Sequence, residues 1–456
     1  AFEYGSQLVY ALVHRASGLA GVAVFAGLLI AASYAVMGRF LLRRGADPMV
    51  TYLTTIVAAV LGGVHWAARP HLITLLAVML LLFYLEPGER RPRLWLLFLF
   101  FVLWANLHGG FVYGLTLLGI YLGGSLLEWR FGSDPEQWRQ RSRYYTAALL
   151  IAGLGTLVNP VGPELHLHII RFFSEPFLRD NTEEFLSPDF HNAGGQMLLV
   201  SLLGILSLFA LVPGRPTYPR LLLLLANVAF VLQARRNVQL YAATVFPILA
   251  LHFDAVVRQL PDWRGIRATF ERDARRGTDG IFIVMVTAVM VAVAAFRGTV
   301  GPIEIVASGL DPKAFPVAAV ERARQERLDG RIFHEFTWGG YLLYAWPEQK
   351  VFIDGGTDFY GPDLMRTFME TRGLKPGWRE TLSKWKVSYL LMDPGSAIVS
   401  ELVQDGEWGV RYCDETAVLL ERDAAPGGTG GAGALARIEQ CTADPGTLAG
   451  GQSSAR

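Results

Sequence analysis

The sequence predicts a polytopic α-helical membrane protein of about ten transmembrane or re-entrant helices, followed by a small soluble α/β or α+β domain. Three observations predict it. First, 52% of the 456 residues are hydrophobic, which in a water-soluble chain would leave too little polar surface to cover the core. Second, apolar stretches recur from residue 19 to residue 297, with lengths approaching the ~20 residues a membrane helix needs. Third, arginine crowds every second connection between those stretches. One set holds Arg39, Arg43 and Arg44; Arg90, Arg91 and Arg93; Arg130, Arg139, Arg141 and Arg143; Arg215 and Arg220; and six arginines from Arg258 to Arg276. The alternate set holds only Arg15, Arg69, Arg171, Arg179, Arg235, Arg236 and Arg297. Basic residues cross a bilayer poorly, so the crowded set is expected in the cytoplasm.

The elements follow in chain order. Residues 1–18 are amphipathic and read as an interfacial helix at the end of a first outer loop, with a preceding transmembrane helix expected before Ala1. The transmembrane domain covers residues 19–297, with spans at 19–42, 49–66, 71–85, 94–106, 109–127, 144–158, 196–212, 219–233, 238–256 and 280–297. Several fall short of ~20 residues, which suits tilted, re-entrant or broken helices. Between the sixth and seventh spans lies the longest outer connection, 159–195, in which LHLHIIRFF has the pattern of a short interfacial helix and the remainder is rich in carboxylates.

Residues 298–422 read as an extracytoplasmic soluble domain, and all five lysines of the chain lie there. RIFHEF, YLLYAW, KVFIDGG, VSYLLMD, WGVRYC and AVLLER have the look of short strands, while FPVAAVERARQERL and PDLMRTFMETRG read as helices. Residues 423–456 form a flexible tail opened by a glycine-rich run. The two cysteines, Cys413 and Cys441, lack metal-ligand spacing, and a disulfide between them is left open. A net charge of +1 with no basic stripe argues against a nucleic-acid partner.

Ionisable groups at a membrane boundary are expensive to bury, so they are the functional candidates. Four clusters fall on the predicted outer side. HWAARPH supplies His65, Arg69 and His71; WANLHGG supplies Asn106 and His108; QARRNVQLY supplies Arg235, Arg236 and Asn237. The fourth is the acidic loop, with Glu164, Glu175, Asp180, Glu183, Glu184 and Asp189. Outward arginine runs against the topological trend, and a lipid-linked phosphate at headgroup level would supply the reason, since guanidinium grips phosphate in a bidentate fork. Snorkelling to headgroups or pairing with loop carboxylates is the plainer account of the same residues. Glu183, Glu184 and Asp189 could supply a general base, and a divalent cation is the cofactor such a loop could hold. Glu3 also faces outward. His166 and His168, two residues apart, point in different directions on a helix and fit an interfacial loop better than a metal.

RPH at 69–71, WANLHGGFVYG at 104–114, NPVG at 159–162, SPDF at 187–190 and the GGYL…VFIDGG region resemble bacterial membrane glycosyltransferases of the GT-C type, relatives of the protein O-mannosyltransferases. The resemblance covers most of residues 1–422. It implies a multi-pass enzyme of the bacterial inner membrane that takes a sugar from a polyprenyl-phosphate carrier. The acceptor would be a cell-envelope glycan, lipid or protein on the periplasmic face. It also implies that outer arginines bind the donor phosphate, for which Arg69, Arg235 and Arg236 match. The family's base is usually an Asp or Glu of the first outer loop, a loop largely absent here. Two other classes remain open: a non-enzymatic lipid-carrier transporter or scaffold, and a polysaccharide polymerase or ligase. A transporter is expected to carry ionisable groups at mid-membrane depth, and the spans are almost free of them.

Overall fold

A computed structural model describes residues 3–86, 91–211, 216–258, 299–300, 303–304, 310–422 and 432–443. The expected span at 280–297 lies outside the described residues. The chain divides into two compact units: Ala1–Ser174 with Arg179–Ser308, and Glu175–Leu178 with Gly309–Arg456.

The first unit is helical. Its long helices are α1 (Tyr4–Arg43), α2 (Pro48–Gly62), α3 (His71–Leu85), α4 (Leu94–Leu107), α5 (Phe111–Phe131) and α6 (Pro135–Thr156). The short α7 (Glu164–Ser174) and α8 (Pro176–Asn181) come next, then α9 (Ala193–Leu211), α10 (Tyr218–Gln233) and α11 (Val238–Val257). Among the described residues, five helices are long and apolar enough to cross a membrane: Tyr4–Arg43, Pro48–His65, Phe111–Phe131, Ala193–Ala210 and Arg235–Val257. Three shorter apolar helices, His71–Leu85, Leu94–Leu107 and Tyr218–Gln233, accompany them.

Local chemistry explains where these helices begin and bend. Asp47 accepts the Met49 N–H and Asp134 the Gln137 N–H, each followed by proline at the first helical position. An Asp-Pro pair is a start signal because the carboxylate satisfies an orphan donor and the ring presets φ. At 40 residues, α1 would run about 60 Å if straight, twice a bilayer core. Gly18, at φ +61°, breaks it into the pieces 4–17 and 19–43.

Helix packing relies on small residues at crossing points. A Cβ on Gly124 would sit 2.4 Å from Pro219 of α10, and one on Gly155 would sit 2.7 Å from the Phe98 carbonyl of α4. With lipid as solvent, such close approach is what holds helices together. The core they enclose includes Met37, Leu41, Leu75, Phe101, Trp104, Phe111, Tyr121 and Tyr241, all fully buried. Tyr52, Leu150, Val200 and Leu206 remain exposed on the flanks.

One end of this unit is closed by a buried polar knot. The Glu86 carboxylate accepts from Arg220 Nε at 3.1 Å, Arg220 Nη2 at 2.8 Å and the Tyr121 hydroxyl at 2.7 Å. Arg44 Nη2 donates to the Glu86 carbonyl at 2.8 Å and the Tyr145 hydroxyl to that of Leu85 at 2.6 Å. Side chains from α1, α5, α6 and α10 thus converge on the end of α3.

Two-residue strands β1 (Thr299–Val300) and β2 (Ile303–Glu304) pair antiparallel. The second unit is built on β3 (Arg331–His334), β4 (Val387–Met392), β5 (Trp408–Cys413) and β6 (Val418–Arg422), in the order β3-β4-β6-β5. β3 runs parallel to β4, and the other pairs are antiparallel. Central β4 is buried along nearly its whole length, as expected for a strand covered on both faces. Around the sheet lie α12 (Val317–Gln325), α13 (Gly339–Ala345), α14 (Thr357–Arg372), α15 (Trp378–Lys384), α16 (Ala397–Gln404) and α17 (Ala432–Ala443).

Two expected strands are not strands. YLLYAW lies in α13: Tyr341, Leu342 and Trp346 are buried while Leu343 and Tyr344 are exposed, a helical rather than alternating pattern. KVFIDGG joins no ladder because side chains take its backbone donors. The Phe352 N–H donates to His334 Nε2 at 3.0 Å, and the Asp354 carboxylate accepts the Gly356 N–H at 2.6 Å. That geometry makes Nε2 the acceptor, so His334 donates through Nδ1 to the Glu335 carbonyl, and burial pushes its pKa down to about 4.

Candidate functional site

At the end of the helical unit opposite Glu86, three connections meet: residues 63–70 after α2, residues 182–192 before α9, and the turn Arg235–Asn237 between α10 and α11. They surround a pocket of about 470 Å³ lined by His65, Arg69, Glu183, Glu184, Asp189 and Arg235, with Val64, Leu198 and Val238 among its apolar walls. The Arg235 N–H donates to the Leu186 carbonyl at 2.9 Å, which pins the acidic loop to the arginine turn.

The side chains pair by charge. Arg69 Nη1 lies 2.6 Å from Glu184 Oε1, and Arg236 Nη1 lies 3.9 Å from Glu184 Oε2. Arg235 Nη1 lies 2.8 Å from Glu183 Oε1. The Arg236 guanidinium also stacks over the Phe185 ring at 4.6 Å. Burial alone would raise the Glu184 pKa, but the hydrogen bond from Arg69 and the charge of Arg236 outweigh it and hold the carboxyl below its ordinary value. The two carboxylates are unequal: Glu183 is 75% exposed and Glu184 30%.

A second group adjoins the first through Arg236, which lies within electrostatic reach of Glu184, Arg69 and Glu3. Glu3 Oε1 is 3.3 Å from His108 Nε2. The other ring nitrogen, Nδ1, accepts from the Gly110 N–H at 3.0 Å and lies 2.7 Å from the Thr74 hydroxyl, which in turn accepts from Trp104 Nε1 at 2.9 Å. Donors at Nδ1 leave the proton on Nε2, aimed at Glu3. Burial, reinforced by His71 and Arg236, pushes the His108 pKa down to about 3, so this is a neutral imidazole facing a carboxylate. Gly110 makes the arrangement possible, because a Cβ there would meet Thr74 Oγ1 at 2.3 Å. His71 Nε2 donates to the His65 carbonyl at 3.0 Å, and the two rings lie 4.9 Å apart.

Four candidates from the sequence are occupied elsewhere. Asn106 donates its amide to the carbonyls of Val102 and Val158, tying α4 to the end of α6. Asn237 donates to the Phe230 carbonyl. Asp189 borders the pocket, but its carboxylate accepts the His191 N–H at 2.9 Å and faces the Asn192 amide at 3.4 Å, shaping the turn into α9. His166 lies on α7, with Nε2 2.9 Å from the Thr156 hydroxyl. Among the described residues no group of three or more His, Cys, Asp or Glu side chains is placed to hold a metal ion. Sequence reasoning left out Thr74 and Trp104, which sit inside apolar helices, and kept Glu3 only as an outward-facing residue.

No protein-family model matches the sequence, and no curated protein matches it. Among solved structures, the chain is similar to the archaeal oligosaccharyltransferase AglB from Archaeoglobus fulgidus, determined with an inhibitory peptide and a dolichol-phosphate. That match has a TM-score of 0.44 and 11% sequence identity, covering 82% of this chain and 58% of the other. The chain therefore spans less than two thirds of that protein's length.

Proposed function

We propose that this chain is a membrane glycosyltransferase that takes a sugar from a polyprenyl-phosphate-linked donor and passes it to an acceptor on the outer face. The observation that carries the reading is the convergence of Arg69 and Arg235 on one pocket at the ends of apolar helices, each facing a carboxylate, with Arg236 reaching Glu184 from beside them. An exposed ion pair contributes only about 0.2–1 kcal/mol. A phosphate that accepts charge-assisted, bidentate bonds from the same guanidinium groups can displace such a pair. Arriving phosphate would thus take Arg235 from Glu183 and leave that exposed carboxylate free.

The freed carboxylate is the base in this reading. It takes the proton of the acceptor hydroxyl or amine, whose lone pair forms the new bond at the anomeric carbon. The bond from that carbon to the phosphate oxygen breaks, and its electron pair leaves with the polyprenyl phosphate. Arginine pairing with the departing charge supplies electrostatic stabilisation where charge develops. Glu184, held by two arginines, positions them, while Asp189 shapes the rim. His71 and His108 lie within electrostatic reach of Arg236, and Asn106 and Asn237 tie down backbone carbonyls of α4, α10 and the end of α6.

The test is sugar transfer by the full-length protein in proteoliposomes, using a labelled polyprenyl-phosphate sugar. Arg235→Ala and Glu183→Gln should each lower turnover at least tenfold with the folded yield unchanged. Turnover at the parent rate in both variants would overturn the assignment.

A further inference from the structure

The chain has two cysteines, and both fall in the second unit. Cys413 closes β5, where it pairs in register with Val418 of β6. Cys441 lies on α17, separated from β6 by residues 423–431, a glycine-rich stretch that includes PGGTGG. Nothing in that stretch directs a helix back to the sheet, and a helix of α17's length is marginal alone in water. Yet α17 is docked: Arg437 Nη1 donates to the Val410 carbonyl of β5 at 3.5 Å, and Ile438 and Cys441 are buried. Arg437 and Cys441 are four residues apart, one helical turn, so docking through Val410 sets Cys441 on the face of α17 turned to the strand that ends in Cys413. Both sulfurs are free thiols here, and Cys413 also donates to the Asp414 carbonyl at 3.9 Å.

We propose that Cys413 and Cys441 are partners in a disulfide that fastens the C-terminal helix α17 to strand β5 of the extracytoplasmic domain. The proposal rests on the outward placement of that domain, since such bonds persist in an oxidising compartment. Its benefit is physical: a cross-link between residues 413 and 441 lowers the entropy of the unfolded chain and holds in place a helix that is marginal by itself.

The chemistry is thiol–disulfide exchange with a disulfide oxidant, whether small or protein-borne. Cys413, the more exposed sulfur, attacks one sulfur of the oxidant as its thiolate, and the other leaves as a thiolate that takes up a proton. The Cys441 sulfur then attacks the Cys413 side of the mixed disulfide and releases the second thiol. Two protein S–H groups become one S–S bond, and one oxidant disulfide becomes two thiols. Burial and the neighbouring Asp414 and Cys441 raise the Cys413 pKa, while Arg437 opposes them. Oxidation in the docked state should therefore be slow.

The experiment uses the full chain, isolated from cells with alkylation and without reductant, then digested with trypsin. Arginines at 411, 422 and 437 place the two cysteines in peptides 412–422 and 438–456. The expected result is one joined peptide, lighter than the sum of its parts by two hydrogen atoms and separated by reductant. A second arm treats reduced, purified protein with oxidised glutathione. Persistent glutathione adducts without a joined peptide would overturn the pairing itself. A joined peptide formed only in this arm, with both thiols alkylated in cells, would leave the contact standing. That outcome would remove both the bond in cells and the outward placement on which it rests.

Discussion

The two ends of the helical unit use the same chemistry for opposite purposes. At one end Glu86 is fully buried, and both carboxylate oxygens are engaged by Arg220 and Tyr121. At the other, Glu183 is 75% exposed and meets Arg235 through a single 2.8 Å contact. A carboxylate–arginine pair sealed from water and fully hydrogen-bonded cannot be opened without stranding a charge. An exposed pair can be exchanged for another anion at little cost. The first behaves as a lock between α1, α3, α5, α6 and α10, and the second as a site that a ligand can open.

The contrast can be broken by substitution. The largest effect is expected at the buried end: Glu86→Ala strands Arg220 and should lower unfolding stability by about 3–5 kcal/mol. Denaturant titration of the detergent-solubilised protein reads this directly, and a loss below about 1 kcal/mol would remove the distinction. At the open end, Arg69→Ala should change stability by less than about 1 kcal/mol while lowering sugar transfer at least tenfold. Gly110→Ala should fall between these, destabilising by about 1–3 kcal/mol through the Cβ it forces against Thr74 and through the His108 hydrogen bonds it disturbs. Conservative behaviour at this position would show that the Trp104–Thr74–His108 chain gives way without consequence.

The smallest expected effect is on pH dependence. Glu184 has a folded pKa below its unfolded value, so its pairing stabilises the fold above the ordinary carboxylate range. That contribution is lost as pH falls through the depressed folded value. Glu184→Gln should flatten the acid limb of the stability profile slightly. A slope identical to that of the parent protein would mean the pair with Arg69 contributes nothing.

Much of this was legible before any coordinates. Apolar length gave α1–α5 and α9–α11, whereas the Asp-Pro starts of α2 and α6 and the break at Gly18 are local signals that apolar length does not register. Arg69 and Arg235 stood out because they fall in the connections where arginine is sparse, and both border one pocket. Other features depended on partners distant in sequence. Asn106, Asn237 and Asp189 looked available, yet their side chains bond nearby backbone, a habit of short polar residues at helix ends and turns. Glu86 carried no motif, and its partners lie 35 and 134 residues away. In the second unit, YLLYAW was ambiguous because a short apolar run has too few positions to separate alternation from a helical repeat.

If Arg69, Arg235 and Arg236 grip an anionic lipid head in place of their carboxylates, affinity for that head depends on both members of each pair. Binding of polyprenyl phosphate to the full-length protein in nanodiscs tests it most directly, comparing the parent chain with Arg235→Ala and Glu183→Gln. Opposite signs are expected: at least tenfold weaker binding without the guanidinium, and tighter binding once the competing carboxylate is neutralised. Equal affinity in all three proteins, or weakening by both substitutions alike, would contradict it.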